Sequence, residues 1–218
     1  MATSFPTGTL WGSFTLVGGS FGLMTQGRIR GLVLAPGAGA GSDHSGLIAI
    51  GEAAEAIGIR VKRIDFPYRL AGRKRPDRPE VLAATIRDAA GAFARALEAS
   101  QAELALGGRS MGGRICSMVV AEGLPAAALV LVSYPLHPPG RRDRPRTGHF
   151  GAIHVPCLFV SGTRDAFATP EELTTATAAI DAPVAHEWIE GGDHSLRGAD
   201  ARVADIVARW LSELGTVA

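Results

Sequence analysis

The sequence is poor in the features that would tie it to a membrane, a nucleic acid or an oxidising compartment. No apolar stretch of its 218 residues is long enough to span a bilayer. The N-terminus has no basic region ahead of its apolar residues, so a signal peptide is not expected. An excess of one charge is also missing. Lys and Arg number 22, Asp and Glu 21, and the formal net charge is +1. That balance gives no reason to expect a nucleic acid or an anionic membrane as partner. Cysteine is scarce: Cys116 and Cys157 are the only two. They lack zinc-site spacing and cannot make a disulfide framework. Each lies in an apolar segment and reads as a small buried hydrophobe, which fits a cytoplasmic protein.

The chain is 46% hydrophobic and 20% charged, the composition of an ordinary globular domain of one core. Residues 1–28 are rich in Gly, Ser and Thr and read as an N-terminal extension or an early β-hairpin. The domain proper is expected over 29–218. Positive charge concentrates twice, at Arg73, Lys74, Arg75, Arg78 and at Arg141, Arg142, Arg144, Arg146. Both runs sit in Pro/Gly-rich loops and read first as solvated surface. Their sharper use would be to attract acidic substrates.

From residue 30 onward, short apolar runs alternate with helical patterns. Strands are expected at 31–35, 59–66, 103–106, 128–132, 157–160 and 184–189. Between them lie a helix capped by Ser42 or Asp43, and a second opening at Asp77 and Pro79. A third follows from Met111, and a fourth over 171–180 is opened by Thr169-Pro170. Val203, Ile206, Val207, Trp210, Leu211 and Leu214 mark one face of a closing helix. Such alternation predicts an α/β domain with a mostly parallel central sheet and helices on both faces. Ligands to such sheets bind beyond the carboxyl ends of the strands. The loops to inspect are therefore 36–43, 67–78, 107–111, 134–151, 162–169 and 190–198. The longest, 134–151, holds four prolines.

Three of these loops carry the residue types of a nucleophilic hydrolase. Gly108-Arg109-Ser110-Met111-Gly112 is a Gly-x-Ser-x-Gly motif between a strand and a helix. A serine there sits on a sharp turn whose flanking positions must lack bulk. The helix that follows aims its N-terminal N–H groups at a developing oxyanion. Asp165 follows the strand at 157–160 and is placed to hold a histidine ring, though a turn or helix cap is its ordinary use. His194 follows Gly191-Gly192-Asp193, and those glycines let it approach the serine. Ser, Asp and His come in an order that such triads use. Asp193 is a poorer acid, because it adjoins His194; local loop hydrogen bonds are expected of it. His137, His149 and His154 surround the long loop and read as loop or surface residues. His186 lies in a strand and reads as structural. The oxyanion needs a second main-chain donor beside Met111. The glycine-rich turn 36–41 supplies it, with Ala38 expected and Gly37 next. That turn has neither the Gly-Lys-Ser/Thr ending of a phosphate loop nor dinucleotide-site spacing. No cofactor or metal is expected.

The chain resembles the dienelactone-hydrolase-like branch of the α/β-hydrolases. Within that branch it is similar to a small predicted-hydrolase family that includes a testis-expressed protein and a subunit of a chromatin acetyltransferase complex. The resemblance rests on the stretches 34–40, 107–113, 133–140, 161–165 and 191–194, with Asp43, His44 and Phe167. It implies the α/β-hydrolase fold, the triad, and an oxyanion loop at Ala38 and Met111; the chain itself has no insertion long enough for a large helical lid, and only 134–151 could cover the site. It also implies that Asp43 and His44 lie near the pocket, as a structural or substrate-contacting pair. Two departures matter. Pro36 stands where the family's loop usually begins with His, and Ser110 stands where dienelactone hydrolases proper use Cys. The activity expected is cleavage of a small ester or thioester through an acyl-enzyme on Ser110, with a small-molecule acyl substrate as partner. Two other uses fit the same residues: a non-catalytic interaction module, or an acyltransferase.

Overall fold

The structure is a computed structural model, described here over residues 28–216 apart from Pro139. The expected extension or hairpin at 1–28 therefore lies outside the described residues, save Arg28. Twelve elements follow in chain order: β1 (Gly31–Ala35), α1 (Ser45–Ala56), β2 (Arg60–Arg63), α2 (Pro67–Leu70), α3 (Pro79–Ala96), β3 (Leu104–Arg109), α4 (Met111–Ala121), β4 (Ala128–Val132), β5 (Cys157–Gly162), α5 (Pro170–Thr177), β6 (Val184–Ile189) and α6 (Asp200–Thr216).

The six strands form one parallel sheet in the order β2-β1-β3-β4-β5-β6. Helices cover both faces because the inner strands are apolar on both. Leu32 and Leu34 of β1 pack with α1 and α6, while Val33 and Ala35 pack with α3 and α4. The same alternation runs through β4 and β5, whose residues are all buried. Burying each large apolar side chain of this kind is worth about 1.5–3 kcal/mol. The edges differ. β2 is exposed and carries Arg60, Lys62 and Arg63, charges that discourage pairing with another sheet. Among the described residues, no helix is long and apolar enough to cross a membrane.

The chain leaves β1 for β2 on one side and returns to β3 on the other. The sheet's direction of growth thus reverses between β1 and β3. A crevice opens at the carboxyl ends of strands at such a point.

Several boundaries differ from expectation. β2 stops at Arg63 because its register with β1 ends at the Leu34–Arg63 pair. Beyond it, Asp65 turns away to accept Ser42 N–H and Oγ–H at 2.7 and 2.5 Å, and Phe66 enters the core. That contact occupies Ser42, so the cap of α1 is His44, not Ser42 or Asp43. β3 runs on to Arg109 through Gly107 and Gly108, residues that read as loop because they have no side chain to pattern. Residues 67–78 contain the short α2, opened by Pro67. α5 ends at Thr177, three residues early, and begins with the expected Thr169 cap, closed reciprocally by Glu172.

Candidate active site

β3 ends at Arg109 and α4 begins at Met111, so Ser110 alone makes the turn between them. Its backbone lies at φ 50° and ψ −117°, a region non-glycine residues rarely adopt. Ser110 N–H donates to the Val132 carbonyl at 2.8 Å, and Arg114 N–H to the Ser110 carbonyl at 3.0 Å. The motif's glycines are steric necessities. A Cβ at Gly108 would run into the Ala35 carbonyl, and one at Gly112 into the carbonyls of Ala35 and Pro36. Their absence lets β3, α4 and the loop after β1 close on one another around Ser110.

His194 comes from the loop between β6 and α6. Arg164 N–H donates to the Gly192 carbonyl at 2.8 Å, and Leu196 N–H to the Asp193 carbonyl at 3.1 Å. Asp193 makes the local bonds expected of it, accepting Ser195 N–H at 2.8 Å and Ser195 Oγ–H at 2.6 Å; these hold its carboxyl below the usual range. Arg109 Nη2 donates to the His194 carbonyl at 2.6 Å and pins the loop from below.

The structure brings Ser110, His194 and Asp165 into one line. Ser110 Oγ lies 2.9 Å from His194 Nε2. His194 Nδ1 lies 2.8 and 3.0 Å from the two Asp165 oxygens. The Asp165 side chain is wholly buried, and its Oδ1 also accepts Phe167 N–H at 2.8 Å. The Phe167 ring stacks on the His194 ring at 4.0 Å between centroids. With Nδ1–H given to Asp165, the Nε2 lone pair faces the serine hydroxyl.

A cavity of about 410 Å³ opens at this line. Gly37, Ala38, Met111, Pro135 and Phe167 line it beside Ser110 and His194, and three arginines, Arg109, Arg114 and Arg146, complete it. The N–H groups of Ala38 and Met111 donate to no described residue. Gly37 packs beside the serine; a Cβ there would stand 3.6 Å from Ser110 Cβ. His44 does not line the cavity. Its Nδ1 accepts Gly46 N–H at 3.1 Å, and its Nε2 stands 3.3 Å from Arg109 Nη1. Burial and that guanidinium lower its pKa.

The other histidines lie apart. His186 stacks between Phe159 and Trp188, 2.9 Å from Thr177 Oγ1, as a strand residue should. His137 is buried beside Pro138, and His154 sits on the surface near Asp181. His149 reaches inward to Ser117 Oγ at 2.8 Å. The sequence reading missed Arg109 and Arg114. Arg114 was discoverable, since it stands four residues after Ser110 and so on the same side of α4.

A serine on a strand-to-helix turn, at the carboxyl edge of a parallel sheet flanked by helices, defines the α/β-hydrolase class. The family described as an alpha/beta hydrolase domain matches residues 28–208, and the chain belongs to it. Among solved structures, it is similar to an alpha-beta serine hydrolase homologue from Coxiella burnetii, at 17% identity and a TM-score of 0.70, covering 85% of this chain and 86% of that one. A dienelactone hydrolase from Anabaena variabilis matches at 18% identity and 0.70, over 86% and 87% of the two chains. Est1E from Butyrivibrio proteoclasticus matches at 16% identity and 0.69, over 86% and 88%. These likenesses are of fold.

Proposed function

We propose that the protein is a serine hydrolase that cleaves a small ester or thioester through an acyl-enzyme on Ser110. The observation that carries this reading is the unbroken line from Ser110 Oγ through His194 to the buried Asp165. His194 Nε2 takes the hydroxyl proton as Ser110 attacks the acyl carbonyl. Asp165 stabilises the imidazolium that forms and keeps the ring in its orientation. The N–H groups of Met111 and Ala38 receive the oxyanion, each worth about 3 kcal/mol to the transition state. His194 then protonates the leaving alcohol or thiol. A water, deprotonated by the same nitrogen, attacks the acyl-enzyme and frees the serine. No step calls for a cofactor.

The cavity is of a size for a small acyl substrate, and no helical lid covers it among the described residues. The esterase and dienelactone hydrolase named among the structural neighbours support ester chemistry. The 133–140 stretch supports a place beside the small predicted hydrolases related to a testis-expressed protein, and the two buried free thiols a cytoplasmic one. Assay with short-chain p-nitrophenyl esters tests the proposal. Turnover by the wild type that disappears in Ser110→Ala is expected. Turnover undiminished in that variant, or none by the wild type on any ester or thioester of a broad panel, contradicts it.

A further inference from the structure

The cavity beside Ser110 is lined by three guanidinium groups and by no carboxylate. Only Arg109 is occupied, by the His194 carbonyl. Arg114 and Arg146 make no side-chain hydrogen bond or ion pair with a described residue. Arg114 Nε is moreover buried without a partner. Burial, and then repulsion by the nearby Arg114 guanidinium, lower the pKa of Arg146.

Among the described residues outside the cavity, the one half-buried arginine, Arg87, has a carboxylate partner. Arg73 pairs with Asp77, Arg87 with Glu122, Arg141 with Asp143 and Arg142 with Glu172. Arg73, Arg141 and Arg142 are exposed, where a missing counter-ion would cost little. Two half-buried cations side by side, without a counter-ion, are costly to hold. Both are held in place from behind. Arg114 sits on α4, one turn past Ser110. The Arg146 main chain donates to the Leu136 carbonyl at 2.7 Å and accepts Tyr134 Oη–H at 3.3 Å. Four residues of helix separate Arg114 from the serine by about 6 Å along the axis.

We infer that the substrate carries an anionic group, a carboxylate or a phosphoryl, that Arg114 and Arg146 hold while its acyl carbonyl meets Ser110. Guanidinium groups bind either oxyanion through paired N–H donors. The spacing suits an anion a few bonds from the carbonyl, as in the half-ester of a short diacid. The inference rests on the serine hydrolase reading and narrows its substrate class.

Monoethyl adipate and its terminal amide test it, because they differ in charge and hardly in shape. The wild type is expected to favour the acid by about 10- to 100-fold in kcat/KM. Arg114→Gln and Arg146→Gln should each bring that ratio toward one, mainly through KM, and Arg146→Lys should restore part of it. Arg146 lies on a loop, so its variants serve if Arg114→Gln folds poorly. The ethyl ester of phosphonopentanoate tells a phosphoryl preference from a carboxylate one. Equal turnover of acid and amide overturns the inference and leaves the hydrolase intact. Calorimetric titration of Ser110→Ala with both esters reads binding without chemistry. Tighter binding of the acid, lost in the arginine variants, upholds the anion site even if the wild type turns over neither ester. Equal binding of acid and amide, or none of either, overturns it.

Discussion

Two serine–histidine pairs stand along α4, one at the turn that opens it and one within it, and they are built for opposite ends. Ser110 Oγ lies 2.9 Å from His194 Nε2, and Ser117 Oγ lies 2.8 Å from His149 Nε2. By distance they are alike. The direction of the hydrogen bond separates them. Ser117 gives its single proton to the Arg114 carbonyl at 2.8 Å, so it can only accept from His149. Among the described residues Ser110 Oγ has no competing acceptor, so its proton points at His194. The surroundings separate them further. Asp165 stands behind His194, while among the described residues no carboxylate contacts the His149 ring. Ser117 is fully buried in an ordinary helical turn, whereas Ser110 sits strained at the edge of a cavity. A serine near a histidine is thus a weak sign of nucleophilic chemistry. Proton direction, a buried acid and an open face together make a strong one.

This contrast can be broken experimentally, most severely at the serines. Ser110→Ala should lower kcat by about 10⁴-fold or more, while Ser117→Ala should leave it within a few-fold. An equal loss in both would erase the distinction. Asp165→Asn comes next: it should cost about 10³- to 10⁴-fold in kcat, because the amide cannot hold the ring in the tautomer that faces Ser110. Gly112→Ala addresses the strained turn, which has no counterpart at Ser117. Its methyl would meet the Ala35 and Pro36 carbonyls, and denaturant titration should show a loss of about 2–4 kcal/mol.

The smallest effect concerns the second histidine. Burial, and then the nearby Arg114 guanidinium, push His149 down to about 4. An unfolded chain protonates this residue near 6.5, so below that pH the unfolded state takes up the proton first. Stability should fall as pH drops from about 6.5 to 4, by about 1–2 kcal/mol for this partly exposed group. His149→Asn should flatten that part of a stability–pH curve, though lowered values at His44 and His186 leave some slope. An unchanged curve would mean that His149 titrates normally.

The sheet and the three aligned residues were readable because each has a local cause. Continuous apolar runs give doubly buried strands, and Gly108 and Gly112 announce a turn too tight for a Cβ. The two arginine-rich loops show where reading by composition stops. Arg73 to Arg78 and Arg141 to Arg146 look alike as sequence, and both read as solvated. The first holds to that, with Arg73 paired to Asp77 near the surface. In the second, Arg141 and Arg142 do the same, but Arg146 turns inward onto the cavity wall. What turns it is a contact between distant residues, Tyr134 Oη and the Arg146 carbonyl, which no pattern along the chain records. The cap of α1 escaped for the same reason. Ser42 has the right chemistry for it, but Asp65, twenty-three residues away, takes its hydroxyl.

The central claim is that Ser110 is an activated nucleophile, and reaction with a fluorophosphonate probe tests it most directly. Peptide mass spectrometry should find one adduct, on Ser110. It should disappear in Ser110→Ala, weaken strongly in His194→Ala, and persist in Ser117→Ala. An unlabelled wild type, or an adduct carried elsewhere on the chain, would contradict the account.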